Sequence, residues 1–377
     1  MIVRVLGSAA GGGVPQWNCA CDGCTAARRA GIDRTQDGVA VSGDGAAWYL
    51  INASPDIRAQ LLAAEVLRPG PGRRDTPVRG VLLTTAEVDH TAGLLSLREA
   101  VHLEVYGTAT VLSAVPLIPM LGRYTDLRLG ELPATLEGGL TVRSLTVGTK
   151  VPRYARPDCG TDWVSALRIT DNRTGRAFVY ATCLPEWTDQ FDAFLEDSDV
   201  ALLDGTFLDA DEPARVAGLA RTPREMGHLP IADARAALAR HPGTRALFGH
   251  LNNTNPLAVT PPPAVTAAPG IAAPPGIAAP PGIAAPPSVT APPSVTAPPS
   301  VTAPPSVTAP PSVTAPPSVT APPSVTAPPS VTAPPSVTAP PSVTAPPSVT
   351  APPSVTAPPS VTAPPGVAAD GSVLLEE

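Results

Sequence analysis

Thirteen consecutive copies of Ser-Val-Thr-Ala-Pro-Pro run from Ser288 to Pro365 and divide the chain into two polymers with different physics. From residue 258 to residue 369 there is no acidic, basic, histidine, cysteine or aromatic side chain, and 36 of the 52 prolines lie beyond residue 257. A diproline every six residues breaks both helix and sheet hydrogen bonding, and the small side chains between cannot bury a core. Residues 258–365 therefore read as a disordered, low-complexity polyproline II rope rising roughly 3 Å per residue. The same prolines exclude a membrane-spanning helix there, despite the abundance of Ala and Val.

Folding falls to residues 1–257, which carry 54 of the 57 charges and are long enough for one α/β domain with a sizeable core. The net charge of −7 comes without any basic cluster interleaved with aromatics, so nucleic acid is not an expected partner. The opening Met1-Ile-Val-Arg-Val-Leu-Gly7 reads as a strand rather than a secretory signal and points to a cytoplasmic protein. Gly7-Ser-Ala-Ala-Gly-Gly-Gly13 lacks the Gly-Lys-Ser/Thr of a phosphate loop and reads as a close-approach loop at the rim of a site. Apolar alternation and turn residues predict strands at 2–6, 38–42, 48–52, 78–85, 101–106, 140–145, 164–170, 177–181, 200–204 and 245–250. Helical patterns cover 91–100, 189–195 and 231–240. Strands first, then strand–helix alternation, suggest a sheet sandwich flanked by helices.

The scarce histidines sit where such folds gather ligands. Asp89 and His90 follow strand 78–85, Asp204 closes strand 200–204, and His250 closes strand 245–250. Loops past the carboxyl ends of strands project into a shared crevice. Two imidazoles with carboxylates and open positions suit Fe(II), with zinc and manganese chemically admissible. His228, in Met226-Gly-His-Leu-Pro230 just before a helix, is the candidate acid/base or substrate contact. His102 and His241 lack such a setting and read as structural. Cys19-x-Cys21-x-x-Cys24 places three thiols within six residues, one ligand short of a closed tetrahedron, which suits a structural zinc. Cys159 and Cys183 stand alone and read as small buried hydrophobes.

Six motifs in order, Val5 to Cys24, Asn52-Ala-Ser-Pro-Asp-Ile57, Asp89 to Glu99, Asp204-Gly-Thr206, Met226-Gly-His228 and His250-Leu-Asn-Asn-Thr-Asn-Pro256, resemble the pyrroloquinoline quinone (PQQ) biosynthesis protein B family. They span nearly all of residues 1–257, and residues 366–375 look like the family's closing strand. The resemblance implies a metallo-β-lactamase-like αββα sandwich over 1–257. The proline-rich repeat, 258–365, is then an insertion, and 366–377 form a strand or hairpin that pairs back onto the domain.

Hydrolases of that superfamily carry His-x-His-x-Asp-His, and the aligned residues here are Thr85, Glu87, Asp89 and His90. The first two imidazoles are replaced, no histidine lies near Gly148, and the second site, Asp89, His90, Asp204 and His250, remains. The resemblance implies Fe(II) at those four residues and iron- and oxygen-dependent hydroxylation of the tyrosine ring of a cross-linked Glu-Tyr intermediate. Two other readings stay open: a soluble carrier of PQQ or its precursor towards the periplasm, and a metal-dependent hydrolase in which Glu87 replaces a lost ligand. Phosphodiesterase relatives complete a similar cysteine site with a side chain three residues beyond the metal-site histidine, which here is Asn253. That implies Zn(II) held by Cys19, Cys21, Cys24 and Asn253. The implied partners are the diamino-acid precursor, O2 and other PQQ biosynthesis proteins.

Overall fold

Alternation along the central strands sets the layers. In Trp48–Ile51 every side chain is buried. Tyr49 and Ile51 enter a cluster with Val41, Leu167 and Phe178, whereas Trp48 and Leu50 point the other way, against Ile57 and Leu94. Val200–Asp204 behaves alike: Val200 and Leu202 join the first cluster, and Ala201 and Leu203 meet Phe191 and Ile231. Successive side chains of a strand point to opposite faces, so strands buried on both faces need a partner layer on each side. The result is helix, sheet, sheet, helix, the αββα sandwich of the metallo-β-lactamase fold.

The computed structural model describes residues 1–260 and 366–375; residues 261–365, where the proline-rich rope is expected, and the last two residues lie outside the described residues. The strands are Ile2–Gly7 (β1), Gly38–Ser42 (β2), Trp48–Ile51 (β3), Val78–Leu82 (β4), His102–Gly107 (β5), Asp126–Glu131 (β6), Ala134–Leu136 (β7), Leu140–Gly148 (β8), Val164–Asp171 (β9), Ala177–Ala181 (β10), Val200–Asp204 (β11), Arg245–Gly249 (β12) and Val373–Leu375 (β13). One sheet has the order β13-β1-β2-β3-β4-β5-β6 and the other β12-β11-β10-β9-β8-β7. β10, β11 and β12 pair in parallel, so their carboxyl ends open onto one edge. At that edge a bridge from Thr85 to Val164, with Ser165 N donating to Thr84 O at 2.9 Å, ties the end of β4 to the second sheet. Four strand ends thereby meet in one place.

Two strands escape sequence patterning, β6 and β7. Each lies at the outer edge of its sheet and is largely exposed or half-buried, so neither shows the buried alternation that marks a strand. The helix expected over 91–100 is instead a short α-turn, Val88–Thr91, continued as a 3-10 segment, Ala92–Leu97. Its start is pressed against a neighbouring loop: Gly93 N donates to Ala53 O at 2.9 Å, and a Cβ at Gly93 would collide with Ser54 O. Close approach to that backbone, which propensity does not report, decides the local geometry.

The chain remains held for three residues beyond 257. Pro256–Val259 is a 3-10 turn whose Ala258 packs with Val14, Ala27 and Leu251. The buried Arg34 guanidinium donates to Ala258 O at 2.7 Å, Thr260 O at 2.9 Å and Ala368 O at 3.0 Å. One side chain therefore clamps the backbone on both sides of the repeat. Asp370 then accepts from Ser8 Oγ and Thr35 N, and β13 pairs antiparallel with β1. Among the described residues no helix is long and apolar enough to cross a membrane.

Candidate metal centres

His90 lies in the Val88–Thr91 turn after β4, Cys183 two residues past β10, and His250 directly after β12. His250 adopts φ +57, a left-handed conformation rare for a side-chain-bearing residue, and this turns its ring towards the common edge. The donor atoms of His90, Cys183 and His250 all lie within 4.8 Å of one another. The His90 and His250 rings meet edge to face with centroids 5.4 Å apart. In each ring Nδ1 is engaged by a threonine hydroxyl, Thr85 Oγ1 at 3.0 Å for His90 and Thr206 Oγ1 at 2.9 Å for His250. With Nδ1 carrying the proton, Nε2 presents its lone pair to the centre. Both Nε2 atoms are buried without a hydrogen-bond partner, and Asp89 Oδ2 stands 3.6 Å from that of His250.

The charges at the centre are interdependent. Burial alone would raise the Asp89 carboxyl, but His90 and His250 overcome it and hold it well below the usual range. Burial lowers His90 despite Asp89, whereas in His250 the neighbouring Asp89, Asp37 and Asp204 outweigh burial and raise it. The Cys183 thiol is pushed far up by burial and then by Asp204, Asp89 and Asp37. A divalent cation reverses that logic, because it favours thiolate and carboxylate together.

Asp204, expected from the sequence among the metal residues, is engaged by three donors. Its Oδ2 accepts from Leu184 N and from His228 Nδ1, both at 2.9 Å, and its Oδ1 accepts from Thr206 N at 3.0 Å. It thus stands behind His228 and fixes that ring. Thr206 Oγ1 lies 3.0 Å from His228 Nδ1 as well as beside His250, and the two rings stack with centroids 5.3 Å apart. His228 Nε2 is left as the ring atom available to a ligand, on the wall of a cleft of about 670 Å³ that Cys183, Glu87 and Lys150 also line.

Two residues here escaped the sequence reading. Cys183, read as a lone buried hydrophobe, belongs to the centre; its place just past the carboxyl end of β10 was the signal that could have found it. Asp37 is buried, accepts from Tyr180 Oη and, at 2.7 Å, from Thr182 Oγ1, and leaves its Oδ1 without a partner. Nothing in its sequence neighbourhood marks it, because both partners come from β10 and its end.

The second cluster is local. Cys21 caps the helix Asp22–Ala30, accepting from Cys24 N, while Cys19 Sγ accepts from Cys21 N at 3.5 Å and Cys24 Sγ from Gln16 N at 3.3 Å. Asn253, from the loop after β12, sets its amide Nδ2 3.2, 3.6 and 3.4 Å from the sulfurs of Cys19, Cys21 and Cys24. Amide nitrogen and oxygen exchange places by a flip, so the same side chain can present its oxygen at the apex of the three sulfurs. The backbone bond from Cys21 outweighs burial at Cys19 and lowers its thiol, whereas burial raises Cys21. Three converging sulfurs with backbone N–H donors fit a thiophilic ion such as zinc.

Comparison with known proteins identifies the family and the fold. Residues 47–251 match the β-lactamase superfamily domain. Coenzyme PQQ synthesis protein B of Cupriavidus necator is 40% identical over 279 residues, covering 68% of this chain and 91% of the relative. The Bradyrhizobium diazoefficiens protein of the same name is 41% identical over 279 residues, covering 67% and 90%. Among solved structures, Zn(2+)-bound PqqB from Methylobacterium extorquens superposes with a TM-score of 0.61 at 35% identity, over 69% of this chain and 92% of that one. A diphosphatase of the PhnP family, at 18% identity and a TM-score of 0.51 over 68% of this chain and 87% of that one, shares the fold.

Proposed function

The chain belongs to the coenzyme PQQ synthesis protein B family, and from that premise we propose that it hydroxylates the tyrosine ring of a cross-linked Glu-Tyr precursor of PQQ with iron and O2. The observation that carries the reading is the pair of buried, unpartnered Nε2 atoms on His90 and His250, facing Cys183 and Asp89. Buried polar atoms left unpaired cost free energy, and a divalent metal relieves both at once. In this reading Asp89, His90 and His250 hold Fe(II) as two imidazoles and a carboxylate, with Cys183 as a further donor, and Asp204 serves His228 instead. Iron held there would supply an open coordination position for O2 chemistry, the two electrons that ring hydroxylation requires coming from an external reductant.

The chain's own groups do the rest. Asp204 fixes His228 at Nδ1, so His228 Nε2 is aimed at the cleft and can give or take a proton from a bound phenol. Thr85 and Thr206, each within 3.0 Å of a ligand imidazole's Nδ1, hold the two rings in orientation. One fact disfavours a two-metal hydrolase: Thr85, aligned with the first histidine of the hydrolase signature, is engaged with His90. At the second centre Cys19, Cys21, Cys24 and the Asn253 amide oxygen hold a structural Zn(II) in the same reading.

The test is anaerobic loading with Fe(II), addition of the Glu-Tyr diamino acid with a reductant, exposure to isotopically labelled O2, and mass spectrometry of the product. Iron-dependent incorporation of labelled oxygen into the ring is the expected result. Tight binding without oxygen incorporation would replace the hydroxylase with a carrier of the precursor.

A further inference from the structure

Of the 25 lysine and arginine residues in the chain, one is a lysine, Lys150. Surface ion pairs elsewhere use arginine, as in Arg68–Glu65, Arg156–Asp158 and Arg215–Asp209. A guanidinium grips a carboxylate with a rigid planar fork, whereas an ammonium is a compact charge with three rotatable donors that changes partners readily. A chain that elsewhere chooses arginine has placed its single lysine two residues past β8, on the wall of the cleft that also bears His228 and Cys183.

The local packing directs that side chain across the site. Gly227, next to His228, has φ +94, and a Cβ there would come within 3.1 Å of Lys150 Cδ, so the lysine stem passes over a glycine. The ammonium stands 3.3 Å from Glu87 Oε1, with the two side chains 48% and 27% exposed. An ion pair this open holds weakly and is easily replaced by another carboxylate. Arg224, another cation lining the cleft, divides its guanidinium between Asp233 Oδ2 at 3.0 Å and Pro185 O at 3.3 Å. The cleft itself, about 670 Å³, has the size of a small-molecule site.

We propose that Lys150 anchors a carboxylate of the substrate, displacing Glu87 from its ammonium and laying the rest of the molecule along the cleft towards His228 and the His90–Cys183–His250 centre. The inference rests on the hydroxylase reading for the identity of that substrate, an amino-acid-derived polycarboxylate. Glu87 then acts as a placeholder that keeps the ammonium aimed into the cleft while the site is empty.

The single lysine supplies its own probe. Reductive methylation with 13C-formaldehyde labels Lys150 as the one side-chain amine, and the Met1 amine is buried against Asp171 at 2.9 Å. Zn(II)-loaded protein, which is diamagnetic, is titrated with the Glu-Tyr diamino acid and separately with glutarate, and affinities are measured in parallel by calorimetry. Both ligands are expected to shift the labelled signal saturably. Lys150→Met should bind each about 10- to 100-fold more weakly with metal content and melting temperature unchanged. Lys150→Arg should recover part of the loss, and Glu87→Gln should bind at least as tightly as the parent.

Wild-type affinity in Lys150→Met, or a labelled signal that neither ligand moves, would overturn the anchor. A signal moved by glutarate but not by the diamino acid, with glutarate affinity lost in Lys150→Met, upholds the anchor and rejects the proposed substrate instead.

Discussion

The cysteine cluster and the histidine centre are built in opposite ways. Cys19, Cys21 and Cys24 come from one turn and the start of one helix, and a single distant residue, Asn253, closes over them. His90, Cys183 and His250 come from three loops on two sheets, and each imidazole needs its own threonine to hold it. The first cluster is half-exposed at Cys19 and Cys21, whereas the second is buried at both imidazoles. A local cluster can form wherever the chain makes the turn; a dispersed one exists only after the sheets have docked. The two nevertheless share a segment, because His250 and Asn253 lie three residues apart in the loop after β12. Leu251 N donates to Ser8 O at 2.8 Å, and Asn255 Nδ2 to Gly205 O at 2.8 Å, so that loop is pinned between the two centres.

The contrast is broken most directly at His250. His250→Ala should remove the metal of the dispersed centre and lower turnover by about 10³-fold or more, while the metal on the cysteines stays, read by metal analysis of the purified protein. Loss of both ions would mean that the shared loop makes them one unit. Asp204→Asn sharpens the comparison next. If the carboxylate serves His228, metal content holds and turnover falls about 10²- to 10⁴-fold, whereas loss of the metal would return Asp204 to the ligand set.

Thr206→Val removes the hydroxyl shared by His228 and His250 and should weaken metal binding about 10- to 100-fold in a competition titration, with the cysteine site unaffected. The smallest effect on chemistry is expected from Cys24→Ser. Loss of the local ion should lower the melting temperature by several degrees and reduce turnover only a few-fold, through looser placement of the loop that carries His250. A Cys24→Ser protein with unchanged melting and unchanged metal content would remove the cysteine cluster from the comparison.

The residues that sequence reading found and missed follow the same divide. Asp89, His90 and His250 were legible as rare residues just past apolar strands, without knowledge of which strands are neighbours. Cys183 occupies an equivalent place past β10 but was passed over, because a lone cysteine is usually inert filling and no nearby residue signals otherwise. Asp204 was legible as the residue closing an apolar strand, but its link to His228 was not, since only packing brings His228 Nδ1 to its Oδ2. The helix expected at 91–100 was displaced by the pressure of the Ala53–Ser54 backbone on Gly93, again a contact between distant segments.

By itself the sequence determined the separation of a chargeless proline repeat from a folding region, the expectation of a sheet sandwich flanked by helices, and the cysteine spacing. Each depends on periodicity or proximity along the chain, which a linear pattern records. Tertiary structure alone decided that β4, β10, β11 and β12 end at one edge, that Cys183 faces two unpartnered imidazoles, that Asp204 holds His228, and that Lys150 shares their cleft. These are relations between side chains brought within a few ångströms by sheet docking, and docking is driven by apolar burial that is indifferent to which polar residues it brings together.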